Sequence, residues 1–165
     1  MYQSILVPLD GSKLAEAILP EVEELARVLK ARLNLIRVSR AHVFPGADPT
    51  DSQVKVVRRA EAYLEGLRGK LSTKLADIEI HASYGSPADK ILEVSRRQDI
   101  DMIAMSTHGR SGIGRWLLGS VAEKVVRHSD IPVLLLRAHD KGEMPARNGG
   151  DKPQNPHAAV KPLPF

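Results

Sequence analysis

A chain of 165 residues that is 42% hydrophobic and 27% charged can fill the core of one ordinary domain, which excludes wholesale disorder. It has no cysteine, so disulfide frameworks, thiolate metal sites and cysteine nucleophiles drop out, and a reducing compartment suits it. The net charge of +4 is compatible with an anionic ligand, with nucleic acid or with neither, and one Trp, three Tyr and two Phe make no evident base-stacking platform.

The start, Met1 to Pro8, lacks the basic and long apolar regions of a signal peptide. No apolar run approaches the ~20 residues of a membrane span, so the expected location is the cytoplasm. Ile5-Leu6-Val7, ended by Pro8, Asp10 and Gly11, reads as a buried parallel strand entering a turn. A helix is predicted from Lys13 with Ser12 as its cap, and Leu14, Ile18, Val22, Leu25 and Leu29 form its buried stripe. Pro20 should bend that helix or split off its first turn.

Leu33–Val38 reads as the second strand and Ser39–Thr50 as a loop. A long amphipathic helix follows, with Val57, Ala60, Leu64, Leu67 and Leu71 on one stripe and Lys55, Arg58, Arg59 and Arg68 largely off it. Ile78–Tyr84 is the third strand. Ser86, Pro87 and Asp89 then carry the signs of a helix start: a cap, a first-turn proline and a first-turn acid. Met102–Met105 and Pro132–Leu136 are the fourth and fifth strands, with a helix from Ser120 to His128 between them. Strands alternating with helices imply right-handed crossovers and a parallel sheet covered on both faces, an α/β fold. From Ala138 the apolar periodicity stops, and Pro145, Pro153, Pro156, Pro162 and Pro164 accumulate. The expected organisation is a domain over 1–137 and a disordered tail over 138–165.

The chemistry concentrates between Ser106 and Ser120, where the chain leaves a buried strand and opens a helix. In open α/β sheets ligands bind at such strand ends. Gly109, Gly112, Gly114 and Gly119 allow close backbone approach, the amides of the helix start favour an anion, and Arg110 and Arg115 add positive charge. A tight connection with solvated arginines accounts for the same residues equally well. Ser120-Val121-Ala122-Glu123 also reads as a capping box in which Ser120 accepts from the Glu123 amide.

Other signatures fail. Gly114–Ser120 has P-loop spacing but a serine where the lysine belongs, and no G-x-G-x-x-G follows the first strand. The six histidines show no ligand spacing, and His108, the only one in the loop, reads as a loop hydrogen-bonding residue, with a general-base role as the weaker alternative. Ser111 has no nucleophile-elbow context. Asp10, at the end of the first strand, can accept from ribose hydroxyls or ligate Mg²⁺; its plain alternative is a turn carboxylate bonded to local amides.

These residues resemble the universal stress protein family. The landmarks are Ile5-Leu6-Val7-Pro8-Leu9-Asp10-Gly11-Ser12, then Gly85-Ser86-Pro87-Ala88, then Met105–Leu136 with His108-Gly109-Arg110, Leu117–Glu123 and Ile131-Pro132-Val133. The resemblance implies a three-layer α/β/α, flavodoxin-like (adenine nucleotide alpha hydrolase-like) fold with a five-stranded parallel sheet of order 3-2-1-4-5. It implies a homodimer through the edge strand Val133–Leu136, and an unpaired apolar edge invites such pairing on physical grounds. It also implies ATP as the ligand, through a motif Gly-x₂-Gly-x₉-Gly-Ser/Thr matched by Gly109, Gly119 and Ser120. The motif's first glycine is replaced by Ser106, whose side chain would stand beside the ribose or α-phosphate. Pro8, Asp10 and Val38 would line the adenosine end, Gly109, Gly119 and Ser120 the phosphates, with the Met105 backbone nearby.

The expected function is therefore an ATP-binding regulatory protein of the stress response with little or slow hydrolysis. The alternative is a nucleotide-free dimeric interaction protein of the same fold, which Ser106 favours. A slow ATPase using Asp10 with Mg²⁺ is weaker, and nucleic-acid binding by the Lys55–Arg68 helix ranks last.

Overall fold

Short apolar runs bounded by turn residues build a sheet, and the segments between them supply its helical covers. A computed structural model describes residues 2–40, 49–71, 77–107 and 118–137. The elements, in chain order, are β1 (Ser4–Pro8), α1 (Lys13–Glu16), α2 (Leu19–Leu29), β2 (Arg32–Ser39), α3 (Pro49–Leu71), β3 (Ile78–Tyr84), α4 (Pro87–Arg97), β4 (Met102–Ser106), α5 (Ser120–His128) and β5 (Val133–Leu136). The five strands form one sheet in the order β3-β2-β1-β4-β5. Every neighbouring pair is parallel, with Ile5 opposite Leu33 on one side and Met102 on the other.

Alternation along the strands divides the core in two. Ile5, Val7, Leu33, Leu35, Met102 and Ala104 cluster with Ala15, Val22 and Ala26 and with Leu64 and Leu67, so α1, α2 and α3 cover this face. Leu6, Ile36, Ile103 and Met105 cluster with Ile91, Leu92, Ala122 and Val125, so α4 and α5 cover the other. The result is the three-layer α/β/α arrangement expected of right-handed crossovers. The middle of the sheet is the driest part: β4 is buried along its length, whereas β3 and β5 are only partly buried at the two edges.

Local chemistry explains the element ends. The Ser12 hydroxyl caps α1 by accepting from the Ala15 amide at 3.1 Å. The predicted first helix is broken at Ala17–Ile18, and Pro20 falls in the first turn of α2, where its missing N–H costs nothing. In α1 the residue buried in the core is Ala15 rather than Leu14. Ser86 stands at the N-cap of α4 without bonding a helix amide. First the ammonium of Lys124, and then the Ser86 side chain, hold the Asp89 carboxyl below its ordinary range. The 2.6 Å Asp89–Lys124 ion pair also ties α4 to α5.

The most deeply buried polar side chain among the described residues lies in β2. Asn34 is 1% exposed; its Nδ2 donates to Ser4 Oγ at 3.0 Å, and its Oδ1 accepts from His81 Nε2 at 3.0 Å. Burial pushes the His81 pKa down, against an opposing pull from Glu79.

Candidate functional site

The carboxyl ends of β1, β2 and β4 open into a cavity of about 600 Å³. In a parallel sheet whose order reverses beside β1, this is where neighbouring crossovers diverge and leave a crevice. Ile36, Ile91, Met105 and Ala122, all buried, contribute an apolar floor. The first turns of α4 and α5 bound one side, and Val56, Arg59 and Ala60 of α3 bound the other.

Six of the seven residues expected at the site border this cavity: Pro8, Asp10, Val38, Met105, Gly119 and Ser120. Gly109 lies outside the described residues, as do His108, Arg110, Ser111, Gly112, Gly114 and Arg115. Ser106, 8% exposed, borders the cavity as well.

At the end of β1 the chain is pinned by the Leu9 amide, which donates to the Ile36 carbonyl at 2.8 Å. Asp10 then makes the local bond its plain reading anticipates: Oδ1 accepts from the Ser12 amide at 2.9 Å. Asp10 nonetheless borders the cavity, with its side chain held in the turn by this bond. Gly11 follows at φ +83°, and a Cβ there would sit 2.8 Å from Arg37 Nη1. The Arg37 guanidinium lies 4.3 Å from the centre of the Tyr63 ring. The Tyr63 hydroxyl donates to Glu16 Oε1 at 2.7 Å. Burial and then that carboxylate raise its pKa well above the ordinary tyrosine range. Glu16, Tyr63, Arg37 and the Asp10–Gly11 turn thus buttress one wall.

The opposite wall begins at β4. The Thr107 amide donates to the Leu136 carbonyl, and the Gly119 amide donates to the Thr107 carbonyl, both at 3.0 Å. The second bond fixes Gly119 in extended backbone, φ −59° and ψ 144°, so Gly119 rather than Ser120 is the N-cap of α5. The capping-box expectation is corrected accordingly. The Glu123 amide donates at 2.8 Å to the Gly119 carbonyl, and Ser120 is the first helical residue. Gly119 has no side chain with which to cap this helix start. Ser120, Val121 and Ala122, whose amides have no acceptor inside the helix, all border the cavity.

Three basic residues of the wall escaped the sequence reading: Arg37, Arg40 and Arg59. Val38 alone was singled out at the end of β2, although arginines flank it closely, and Arg59 was read as off the buried stripe of α3. The available signal was adjacency, since Arg59 precedes the buried Ala60. Among the described lining residues Asp10 is the only acid, and none is histidine or lysine. Among the described residues no cluster of three or more potential metal ligands occurs, and no helix is long and apolar enough to cross a membrane.

Comparison with known proteins adds lineage to this geometry. A model described as the universal stress protein family matches residues 1–137. The chain is 30% identical over 148 residues to universal stress protein MJ0531 of Methanocaldococcus jannaschii, covering 86% of this chain and 85% of that one. Universal stress protein UspA from Lactobacillus plantarum superposes with a TM-score of 0.71 at 27% identity, covering 82% of this chain and 98% of that chain. A universal stress protein solved in complex with cAMP superposes with a TM-score of 0.65 at 24% identity, covering 84% of this chain and 99% of that chain.

Proposed function

The chain belongs to the universal stress protein family, and from that premise we propose that its cavity binds an adenine nucleotide, ATP in its Mg²⁺ form, as a regulatory ligand with little or slow hydrolysis. The observation that carries this reading is the start of α5: a nine-residue helix whose N-cap is a glycine and whose first turn borders an apolar-floored cavity. First-turn amides together with the helix dipole favour a phosphate, and the apolar floor suits a base. A solved relative of the same fold holds cAMP, a nucleotide of this class.

In this reading Val38 packs against adenine and Pro8 and Asp10 meet the ribose. Gly119, Ser120 and the Met105 backbone border the phosphates, with Gly109 completing the cradle. The donor set suits Mg²⁺ carried by the nucleotide, because Mg²⁺ is commonly held by one or two carboxylates plus phosphates and water. Asp10 is the one carboxylate of the described wall; the ion would neutralise phosphate charge. No described lining residue pairs a nucleophile with a histidine base, which favours binding over turnover.

Gly119 provides the test. Its φ is negative, and among the described residues a Cβ there would meet only the Thr107 carbonyl oxygen, at an ordinary 3.5 Å. Gly119→Val should therefore fold normally yet intrude on the phosphates. Freshly purified protein should release adenine nucleotide on denaturation or bind added Mg-ATP, and Gly119→Val should weaken that binding more than tenfold, about 1.4 kcal/mol. No released nucleotide and no affinity up to millimolar ATP would instead favour the second reading, a nucleotide-free dimeric interaction protein. The buried Ser106, standing where a glycine is expected, is what supports that alternative.

A further inference from the structure

The wall formed by β2 and α3 carries charge that a simple mononucleotide bound at α5 leaves unanswered. Arg27, Arg32, Arg68, Arg96, Arg97 and Arg127 each pair with a carboxylate. Arg37, Arg40 and Arg59 border the cavity, and among the described residues none of the three has an ion-pair partner. They reach it from two elements, the end of β2 and the middle of α3. Arg37 is held there by the Tyr63 ring and the Gly11 turn, while Arg40 and Arg59 are exposed at the rim.

The positive groups therefore occupy two sides of one crevice. The α5 amides follow β4, the arginines follow β2, and β1 lies between. Two strand spacings put these sides about 10 Å apart. Between them stands Asp10, the single described acid of the lining. A polyphosphate chain leaving the 5′ carbon concentrates its charge on one side of the ribose. Two phosphate groups on different ribose carbons place anions on both sides, with the sugar between them near Asp10. Guanidinium groups suit such terminal phosphates because they bind them in bidentate fashion.

We propose that Arg37, Arg40 and Arg59 form a second anion subsite, and that the preferred ligand class is a nucleoside bisphosphate with one phosphate at the 5′ position and another on the ribose 2′ or 3′ oxygen. The proposal rests on the reading of the cavity as an adenine-nucleotide site and sets a ligand phosphorylated on two ribose carbons ahead of one, such as ATP, phosphorylated on the 5′ carbon alone.

Two positional isomers separate the ideas. ADP and adenosine 3′,5′-bisphosphate have the same atoms and differ in where the second phosphate sits. Calorimetric titration of the full chain at fixed ionic strength should show the bisphosphate binding at least tenfold more tightly than ADP. In an R40Q/R59Q double variant, with folding checked by thermal melt, the ratio of the two affinities should fall toward one. Arg37 is left in place because it packs on Tyr63. Equal or tighter binding of ADP by the parent protein would overturn the second subsite while keeping the nucleotide site. A bisphosphate preference that survives R40Q/R59Q would overturn the assignment to these arginines. Failure of ADP, the bisphosphate and ATP alike to bind would overturn both this proposal and the reading beneath it.

Discussion

Gly11 meets two demands at once. Its φ of +83° is a region that side chains disfavour, and the space a Cβ would take is filled by the Arg37 guanidinium at 2.8 Å. Gly11→Ala should therefore cost about 1–3 kcal/mol, the scale of left-handed strain in a non-glycine residue, and should also displace Arg37 from Tyr63. Urea unfolding would show the loss, and unchanged stability would mean that the turn relaxes freely. His81 makes a different prediction. Its pKa is lowered in the folded protein by burial, so the unfolded chain binds more protons below the unfolded value of about 6.5. The His81 contribution is thus fully present above that pH and is lost as pH falls through and below it. Stability measured by denaturant between pH 7.5 and pH 5 should fall more steeply for the parent than for His81→Gln; parallel curves would exclude this histidine as the source.

Among the helices, α2 ends on an avoidable strain. Lys30 adopts φ 55° and ψ 39°, a left-handed cap, and its amide bonds back to Ala26 and Arg27 carbonyls. Lys30 is exposed, so Lys30→Gly should keep these bonds and remove the Cβ penalty. A gain of about 0.5–1 kcal/mol is expected, seen as a rise in Tm. Elements of this kind were largely legible from residue order. The limits of β3 and α5 agree with the periodicity, because apolar alternation and helical spacing are local properties. The break before α2 was anticipated through Pro20, though the chain turns at Ala17–Ile18 because proline is accommodated in a first turn. The cap of α5 was misplaced by one residue for a non-local reason: the Gly119 amide is claimed by the Thr107 carbonyl. The arginine wall was illegible for a similar reason. Arg37 and Arg59 are brought together by the packing of α3 on the sheet; adjacency to Ala60 hints at a place for Arg59, but no spacing in the chain announces its meeting with Arg37.

The whole molecule presents two unlike edges. β3 carries Glu79 and His81 at one side of the sheet, whereas Val133–Leu136 of β5 are uncharged and only partly buried at the other. The Pro132 and Leu136 carbonyls accept from the β4 side. In a parallel strand the intervening residues Val133 and Leu135 then turn their amides outward. An apolar edge without charge protection invites another strand, so the full chain should sediment as a dimer. Leu135→Pro, which removes an outward amide, should shift it to monomer while the fold survives, because proline is tolerated on the free side of an edge strand. A monomeric parent protein, or a dimer indifferent to this change, would place any contact elsewhere.

The hydrogen bond from Gly119 to Thr107 has a consequence for how such a protein can diversify. It joins the end of β4 to the threshold of α5, so the geometry of both elements is set by their own contact. The entropy of closing a connection grows only logarithmically with its length, by about 0.6 kcal/mol per doubling. A variant lengthened by a few residues between them should therefore keep the junction of β4 and α5, because the bond that sets it lies outside the altered stretch.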